Sequence, residues 1–365
     1  MPDRHVITPA FSNGEGVIVT IVSQEFDHVI GVDTHAKTHT LVVLDSHGAK
    51  QAGDTFPTSP AGLKRAHAWM LRHAPGRMLA AMEGTASYGA QFNDLLAREG
   101  IAVAETRPPK RGVRRVGKTD QIDAELAARH ALALPIERVI TPRTHTGDHA
   151  ALSVLLTARN AISTARTATI NQLTALLRAH WLGIDARRPI TATQVTQIGQ
   201  WRAHPSDDVG AATIREEAIR EAQEIIRRDG ELKHNEAGLR KHVKTIAAWL
   251  LDEPGVGPFV AAELIVTWSH KGRIHGEAAF ARFAGAAPIP ASSGNTTRYR
   301  LHRGGDRQLN RALWVVAFNR YQHDPETLEY VAKRTKEGKT RNEILRCLKR
   351  YISRSLFRKL DTQTA

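Results

Sequence analysis

His28-Val-Ile-Gly-Val-Asp33, Thr38-His-Thr-Leu-Val-Val-Leu-Asp45 and the stretch from Ala49 to Phe56 decide the fold of this chain. The first is an apolar strand ending in a carboxylate. The second is β-branched and apolar, and Ser46-His47-Gly48 supplies a turn before the third, so the three read as an antiparallel meander. Ser59 and Pro60 suit the N-cap and first position of a helix reaching about His73. Met78-Leu-Ala-Ala-Met-Glu83 reads as a buried strand, followed by a helix around Gly89 to Arg98, a short strand Ile101-Ala-Val-Ala-Glu105, and a helix from Asp120 to Leu132.

A three-stranded meander followed by alternating helix and strand is the RNase H-like order. Beyond it the chain changes character. Ala150 to His180 lacks Gly and Pro and repeats Leu and Ile at near-helical spacing, and two charged amphipathic helices are expected at Ile214 to Arg228 and Glu231 to Leu251. Helices with one apolar stripe bury it against each other or against another subunit. Two readings stand, a helical, coiled-coil-like arm and an intramolecular bundle. The expected class is therefore α/β plus α. Its parts are an extension (1–26), a RuvC-like domain (27–146), a helical arm (147–250), a mainly helical C-terminal domain (251–359) and a tail (360–365).

Composition narrows the partners. The 365 residues carry a net charge of +14, and from Gly294 to Lys359 there are 17 Lys/Arg against 6 Asp/Glu. A basic stripe of that kind is a footprint of phosphate-backbone binding, shared with ribosomal and chromatin proteins. A single cysteine, Cys347, excludes an internal disulfide and a thiolate zinc cage, which fits a reducing cytoplasm. No apolar run approaches a membrane span. Residues 1–26 read as a poorly structured extension unlike a secretory signal.

Four groups of residues carry chemistry. Asp33 and Glu83 end two strands whose ends can lie side by side in a mixed sheet, while Asp120 and Asp123 are expected to face one direction at a helix start. Clustered carboxylates repel unless a cation sits between them, and Mg2+ (or Mn2+) prefers such oxygen ligands. Taken singly each acid reads as a surface or helix N-terminal charge; the set reads as a metal site. The basic loop before Asp120, with Lys110, Arg111, Arg114, Arg115 and Lys118, would hold a nucleic-acid backbone against it. Pro254-Gly255-Val-Gly257 resembles a helix-hairpin-helix turn whose amides meet phosphate. Finally, Ser292-Ser293-Gly294 precedes Arg298, Arg300 and Arg303. The residues alone favour a Ser/Gly/Asn turn there, because a seryl hydroxyl is a poor nucleophile without activation. His35 and His39 lie in strand and turn and are not read as a shared zinc site. Trp249, Trp268 and Trp314 are expected in the core.

Taken in order, Gly31-Val-Asp33, Met82-Glu83-Gly84, Lys118-Thr-Asp120-Gln-Ile-Asp123-Ala, Pro254-Gly-Val-Gly257, Phe283-Ala-Gly-Ala-Ala-Pro288, Ser292-Ser293-Gly294 and Arg303-Gly-Gly-Asp-Arg307-Gln-Leu-Asn-Arg311 resemble the DEDD-type transposases of insertion-sequence family one-ten, bridge-RNA-guided recombinases. The resemblance runs from about Val29 to about Arg350. It implies a RuvC-like metal site on the four acids and a covalent phosphoserine on Ser293, with Ser292 as its neighbour. It also implies donor and target DNA, a non-coding bridge RNA, and a dimer pairing into a tetramer. The competing readings are a RuvC-like nuclease with a structural serine and a non-catalytic nucleic-acid-binding protein.

Overall fold

The computed structural model describes residues 20–106, 119–291, 299–300, 302 and 304–364. By compactness the chain divides into two units. One comprises Met1–His145, Trp268–Ala281 and Leu356–Ala365, the other Thr146–Thr267 and Arg282–Ser355.

The first unit is built on a five-stranded sheet: β1 (His28–Thr34), β2 (Thr38–Asp45), β3 (Lys50–Pro57), β4 (Met78–Met82) and β5 (Ala102–Glu105). Its order is β3-β2-β1-β4-β5. β1, β2 and β3 pair antiparallel as the meander requires, and β4 pairs parallel with β1 and with β5. Both faces are covered, so the inner strands are apolar almost throughout instead of alternating. On one face Ile30, Val32, Leu41, Val43, Ala80 and Met82 pack with Trp69 and Met70 of α2 (Pro60–His73) and with Phe92 and Leu96 of α3 (Ala90–Arg98). The start of α2 is capped as its sequence predicts, Ser59 Oγ accepting from the Gly62 amide at 3.2 Å with Pro60 at the first position.

The other face carries α4 (Asp120–Leu132), whose Ala124, Ala128 and Ala131 meet Val29, Val42, Leu44 and Leu79. Small residues on both sides bring helix and strand unusually close. A Cβ on Gly31 would stand 1.8 Å from the Ala124 carbonyl oxygen and 3.0 Å from the Ala128 amide nitrogen. This contact fixes where the N-terminus of α4 lies along β1.

Residues 20–26, expected within a poorly structured extension, are instead part of this core. Ile21 bridges Pro135, α1 (Val22–Glu25) follows, and Val22 and Phe26 are buried beside Leu132 and Val139. Their burial of apolar surface outweighs the loop-like composition of the segment before them.

In the second unit α5 (Gly147–Ala179) and α7 (Val209–Ala247) form an antiparallel pair, with α6 (Ala192–Gly199) against α7. Leu173 and Leu177 of α5 meet Ala218, Ala222 and Ile225 of α7. Farther along, Asn235 Nδ2 donates to the Leu155 carbonyl at 2.9 Å and His242 Nδ1 lies 2.6 Å from Asp148. The apolar stripes thus cover each other within the chain. The two helices expected at 214–228 and 231–251 are one, α7 running through Gly230 without a break. A mid-helix glycine costs about 1 kcal/mol, less than continuous packing on α5 returns. The remaining helices are α8 (Pro258–Trp268), α9 (Glu277–Phe283), α10 (Arg307–His323), α11 (Pro325–Lys336) and α12 (Arg341–Gln363), with a short pair β6 (Ile289–Pro290) and β7 (Tyr299–Arg300). Among the described residues no helix is long and apolar enough to cross a membrane.

Candidate metal centre

β1 and β4 run parallel with Val32 opposite Met82, so Asp33, still paired with Thr40 of β2, and Glu83, the residue after β4, lie at the same end of neighbouring strands. The Thr34 hydroxyl donates to the Glu83 carbonyl at 3.0 Å and ties the two ends together. Along β1, Val29, Gly31 and Asp33 share the face that α4 covers. Because Gly31 lets α4 sit directly on the strand, the first turn of that helix arrives over Asp33. Thr119 caps it, its hydroxyl accepting from the Ile122 amide at 3.3 Å, and Asp120 and Asp123 occupy the first turn.

The closest ligand set among the described residues is Asp33, His35 and Asp120, each offering an atom within 4.8 Å of the others. His35 Nε2 lies 3.1 Å from Asp33 Oδ2 and 3.5 Å from Asp120 Oδ1. Asp33 is largely covered, its side chain 13% exposed, while Asp120 and His35 are open to solvent at 54% and 52%. Burial holds the Asp33 carboxyl above its ordinary range; His35 lowers it, and the charges of Asp120 and Asp123 raise it again. Carboxylates that raise one another in this way are relieved by a cation, and mixed carboxylate and imidazole donors suit a divalent one. The residues fit the metal.

The structure therefore brings Asp33 and Asp120 together, sets Asp123 within their field, and leaves Glu83 half-buried at the adjoining strand end, outside the tight set. Sequence reasoning missed His35. No local signal marks it: His35 follows the end of β1 and takes its place only where Asp120 of α4 arrives. His39 goes elsewhere, buried and stacked on Phe92 with ring centroids 5.8 Å apart, and burial lowers its pKa. Lys110, Arg111, Arg114, Arg115 and Lys118 lie outside the described residues.

The second unit holds the other motifs. At the Pro254-Gly255-Val-Gly257 turn Gly255 has φ +77 and packs against α10, where an added Cβ would meet Asn319 at 3.2 Å. Arg320 Nε donates to the Pro254 carbonyl at 2.8 Å, and the buried Val256 anchors the turn before α8. At Gly257 nothing lies within 4 Å of an added Cβ. Three segments after it are also drawn together. The Asp306 amide donates to the Phe283 carbonyl at 2.7 Å, Asn310 Nδ2 to the Ala284 carbonyl at 2.6 Å, and Lys349 Nζ to Asn310 Oδ1 at 2.9 Å. Lys349 is buried, which lowers its pKa. Asp306 caps α10, accepting from the Gln308 and Leu309 amides. Arg300 is exposed on β7 opposite Ile289, whereas Ser292, Ser293, Arg298 and Arg303 lie outside the described residues. Of the tryptophans expected in the core, Trp268 is buried and Trp249 half-buried, but Trp314 is 45% exposed, because it lies on the face of α10 opposite Leu309, Leu313 and Val316.

Comparison with known families gives these motifs a common setting. Residues 30–182 match a family described as "Transposase", of the DEDD type named for IS110. Residues 247–332 match the "Transposase IS116/IS110/IS902 family". The chain belongs to the IS110 family of transposases. The first matched region holds all four acids and the second holds the glycine turn, the serine pair and α10. A curated relative, the "Insertion element IS110 uncharacterized 43.6 kDa protein" of Streptomyces coelicolor, is 38% identical over 117 residues. That match spans 32% of this IS110-family chain and 29% of the relative. Membership of a DEDD-type family and the acidic cluster agree on a divalent metal at the end of β1.

Proposed function

We propose that this chain is the transposase of an insertion sequence, cutting and exchanging DNA strands with the DEDD acids and a seryl nucleophile. The observation that carries the reading is the meeting of Asp33 and Asp120 near the C-terminal end of β1, with Asp123 adding its charge and Glu83 one strand away. The strand order, a meander continued by β4 and β5 parallel to β1, supports an RNase H-like, RuvC-type domain over residues 27–146. On this reading 147–250 is the helical arm and 251–359 the domain carrying Ser293.

Asp33, Glu83, Asp120 and Asp123 would hold Mg2+ or Mn2+, which when bound supplies Lewis-acid stabilisation of charge on a phosphoryl oxygen. The chain's own groups do the rest. Lys110, Arg111, Arg114, Arg115 and Lys118, with the amides near Gly255 and Gly257, hold backbone phosphates. Arg298, Arg300 and Arg303 orient the reacting phosphate and offset its growing negative charge. The Ser293 hydroxyl loses its proton as its oxygen bonds to phosphorus, and the bond from phosphorus to one deoxyribose oxygen breaks. That oxygen leaves as a hydroxyl, and a hydroxyl of the exchanged strand later reverses the step. A structured RNA pairing with donor and target would supply sequence choice, so the protein's charge needs to read only backbone. Assembly as a dimer, and then a tetramer, would bring each acidic domain to a partner's serine.

The test is direct. Purified chain incubated with Mg2+, cognate RNA and DNA is expected to form a covalent protein–DNA adduct that mass spectrometry maps to Ser293. Ser293→Ala and Asp33→Asn should each abolish it. An adduct on Ser292 would move the nucleophile by one residue. Cleavage surviving in Ser293→Ala but lost in Asp33→Asn would replace the recombinase with a nuclease that activates water.

A further inference from the structure

α10 is sharply two-sided. Leu309, Ala312, Leu313, Val316 and Ala317 are buried. At steps of four, three, four and three, its opposite side presents Arg307, Arg311, Trp314, Phe318 and Tyr321. Arg307 and Arg311 are exposed and Trp314 is 45% exposed. Trp314 and Phe318 are stacked, with centroids 4.9 Å apart and planes 17° from parallel. Arg341 of α12 lies over both remaining rings, 5.3 Å from the Phe318 centroid and 5.4 Å from that of Tyr321. The stripe thus runs from two arginines to three rings, the last two covered by Arg341, and the indole at its middle is left open. From Arg307 to His323 the sequence has no Asp or Glu.

We propose that this outward face of α10 is a platform on which an unpaired DNA strand stacks its bases while Arg307, Arg311 and Arg341 meet its phosphates. The inference rests on the reading of the chain as a DNA strand-exchange protein, and it names residues that the acidic centre and the serine do not use. Stacking on Trp, with Arg beside it, suits single strands because every base has a π-face and only an unpaired base exposes it. Charge decides against a second copy as the occupant: a chain of +14 meeting another on a row of arginines leaves that row uncompensated, whereas a phosphate backbone neutralises it.

The experiment uses the full chain in EDTA with a fluorescein-labelled oligothymidylate of about 20 nucleotides, a length that spans several stacking sites. Trp314→Ala should weaken binding about 5- to 100-fold, with Trp314→Phe retaining most of the affinity. Arg311→Gln should weaken binding and flatten its salt dependence, and duplex of the same length should respond less to Trp314→Ala. A thiothymidine-containing oligonucleotide irradiated with the unaltered chain should crosslink within Arg311 to Arg320, a readout independent of how the variants fold. The proposal is overturned by unchanged affinity in a folded Trp314→Ala, by crosslinks confined elsewhere, or by tighter binding of the matching RNA oligomer. It is also overturned if light scattering shows that Trp314→Ala dissociates an oligomer, which would make the face a contact between copies. Serine adduct formation that persists while oligothymidylate affinity ignores Trp314→Ala sinks this inference alone. Loss of the adduct chemistry with the Trp314 dependence intact sinks the recombinase reading alone.

Discussion

Gly31 controls more of the candidate centre than its lack of a side chain suggests. It lies two residues before Asp33 and directly under the backbone of α4, where a methyl group would overlap the Ala124 carbonyl oxygen. That neighbour is backbone inside a helix, so relief requires α4 to lift, carrying Asp120 and Asp123 with it. Gly31→Ala is expected to destabilise the protein by about 1–3 kcal/mol or more through overpacking. It should also weaken Mn2+ binding at least about tenfold, the scale on which metal sites respond when their ligand geometry is disturbed. Thermal denaturation and metal titration by calorimetry read the two effects separately; a variant that loses stability but binds metal as before would show that α4 does not set the site. Asp33 was legible as a chemical residue because a carboxylate at the end of an apolar strand is conspicuous. His35 was not, because its role depends on where Asp120 arrives, and that is fixed by Gly31 and α4 rather than by the local spacing.

Among the elements, α7 carries the clearest departure from sequence expectation. Gly230 reads as a boundary between two charged amphipathic stretches, yet the helix passes through it. The stretches on either side pack on the same partner: Arg166 of α5 pairs with Asp229 and Arg159 Nη1 donates to the Leu232 carbonyl at 3.2 Å. No atom lies within 4 Å of a Cβ added at Gly230, and its backbone is helical. Gly230→Ala should therefore stabilise the chain by about 0.5–1 kcal/mol, because alanine loses less backbone freedom on entering a helix. A raised denaturation midpoint with unchanged slope checks it, and a lowered midpoint would mean that the continuous helix is not the native form. Strands were read more accurately than these helices. β1, β2 and β3 are bounded by turn residues within a short span, whereas a long helix is bounded by its partner.

At the scale of the whole molecule, the proposed function and the charge of +14 together predict a strong salt dependence of DNA binding. Each phosphate contact releases counterions, so affinity for DNA should fall linearly on a logarithmic salt axis. If six to ten contacts form, the loss between 50 and 200 mM salt is about 10³- to 10⁵-fold. Filter binding or fluorescence anisotropy across that range measures the slope, and a nearly flat line would remove phosphate contacts as the source of affinity. The same plot for Arg311→Gln should be shallower by about one contact.

The sequence by itself determined the antiparallel meander of β1 to β3, the capped start of α2, the net charge and the ordered motifs of an IS110-family chain. These are local or additive properties: alternation, turn chemistry and composition do not depend on what a segment finally touches. Only the tertiary structure decided that His35 joins Asp33 and Asp120, that residues 20–26 enter the core, that α5 and α7 bury each other's stripes, and that Trp314 faces outward. Each of those depends on which surface packs against which. Packing is a property of pairs of elements distant in the chain, so no window of sequence contains it.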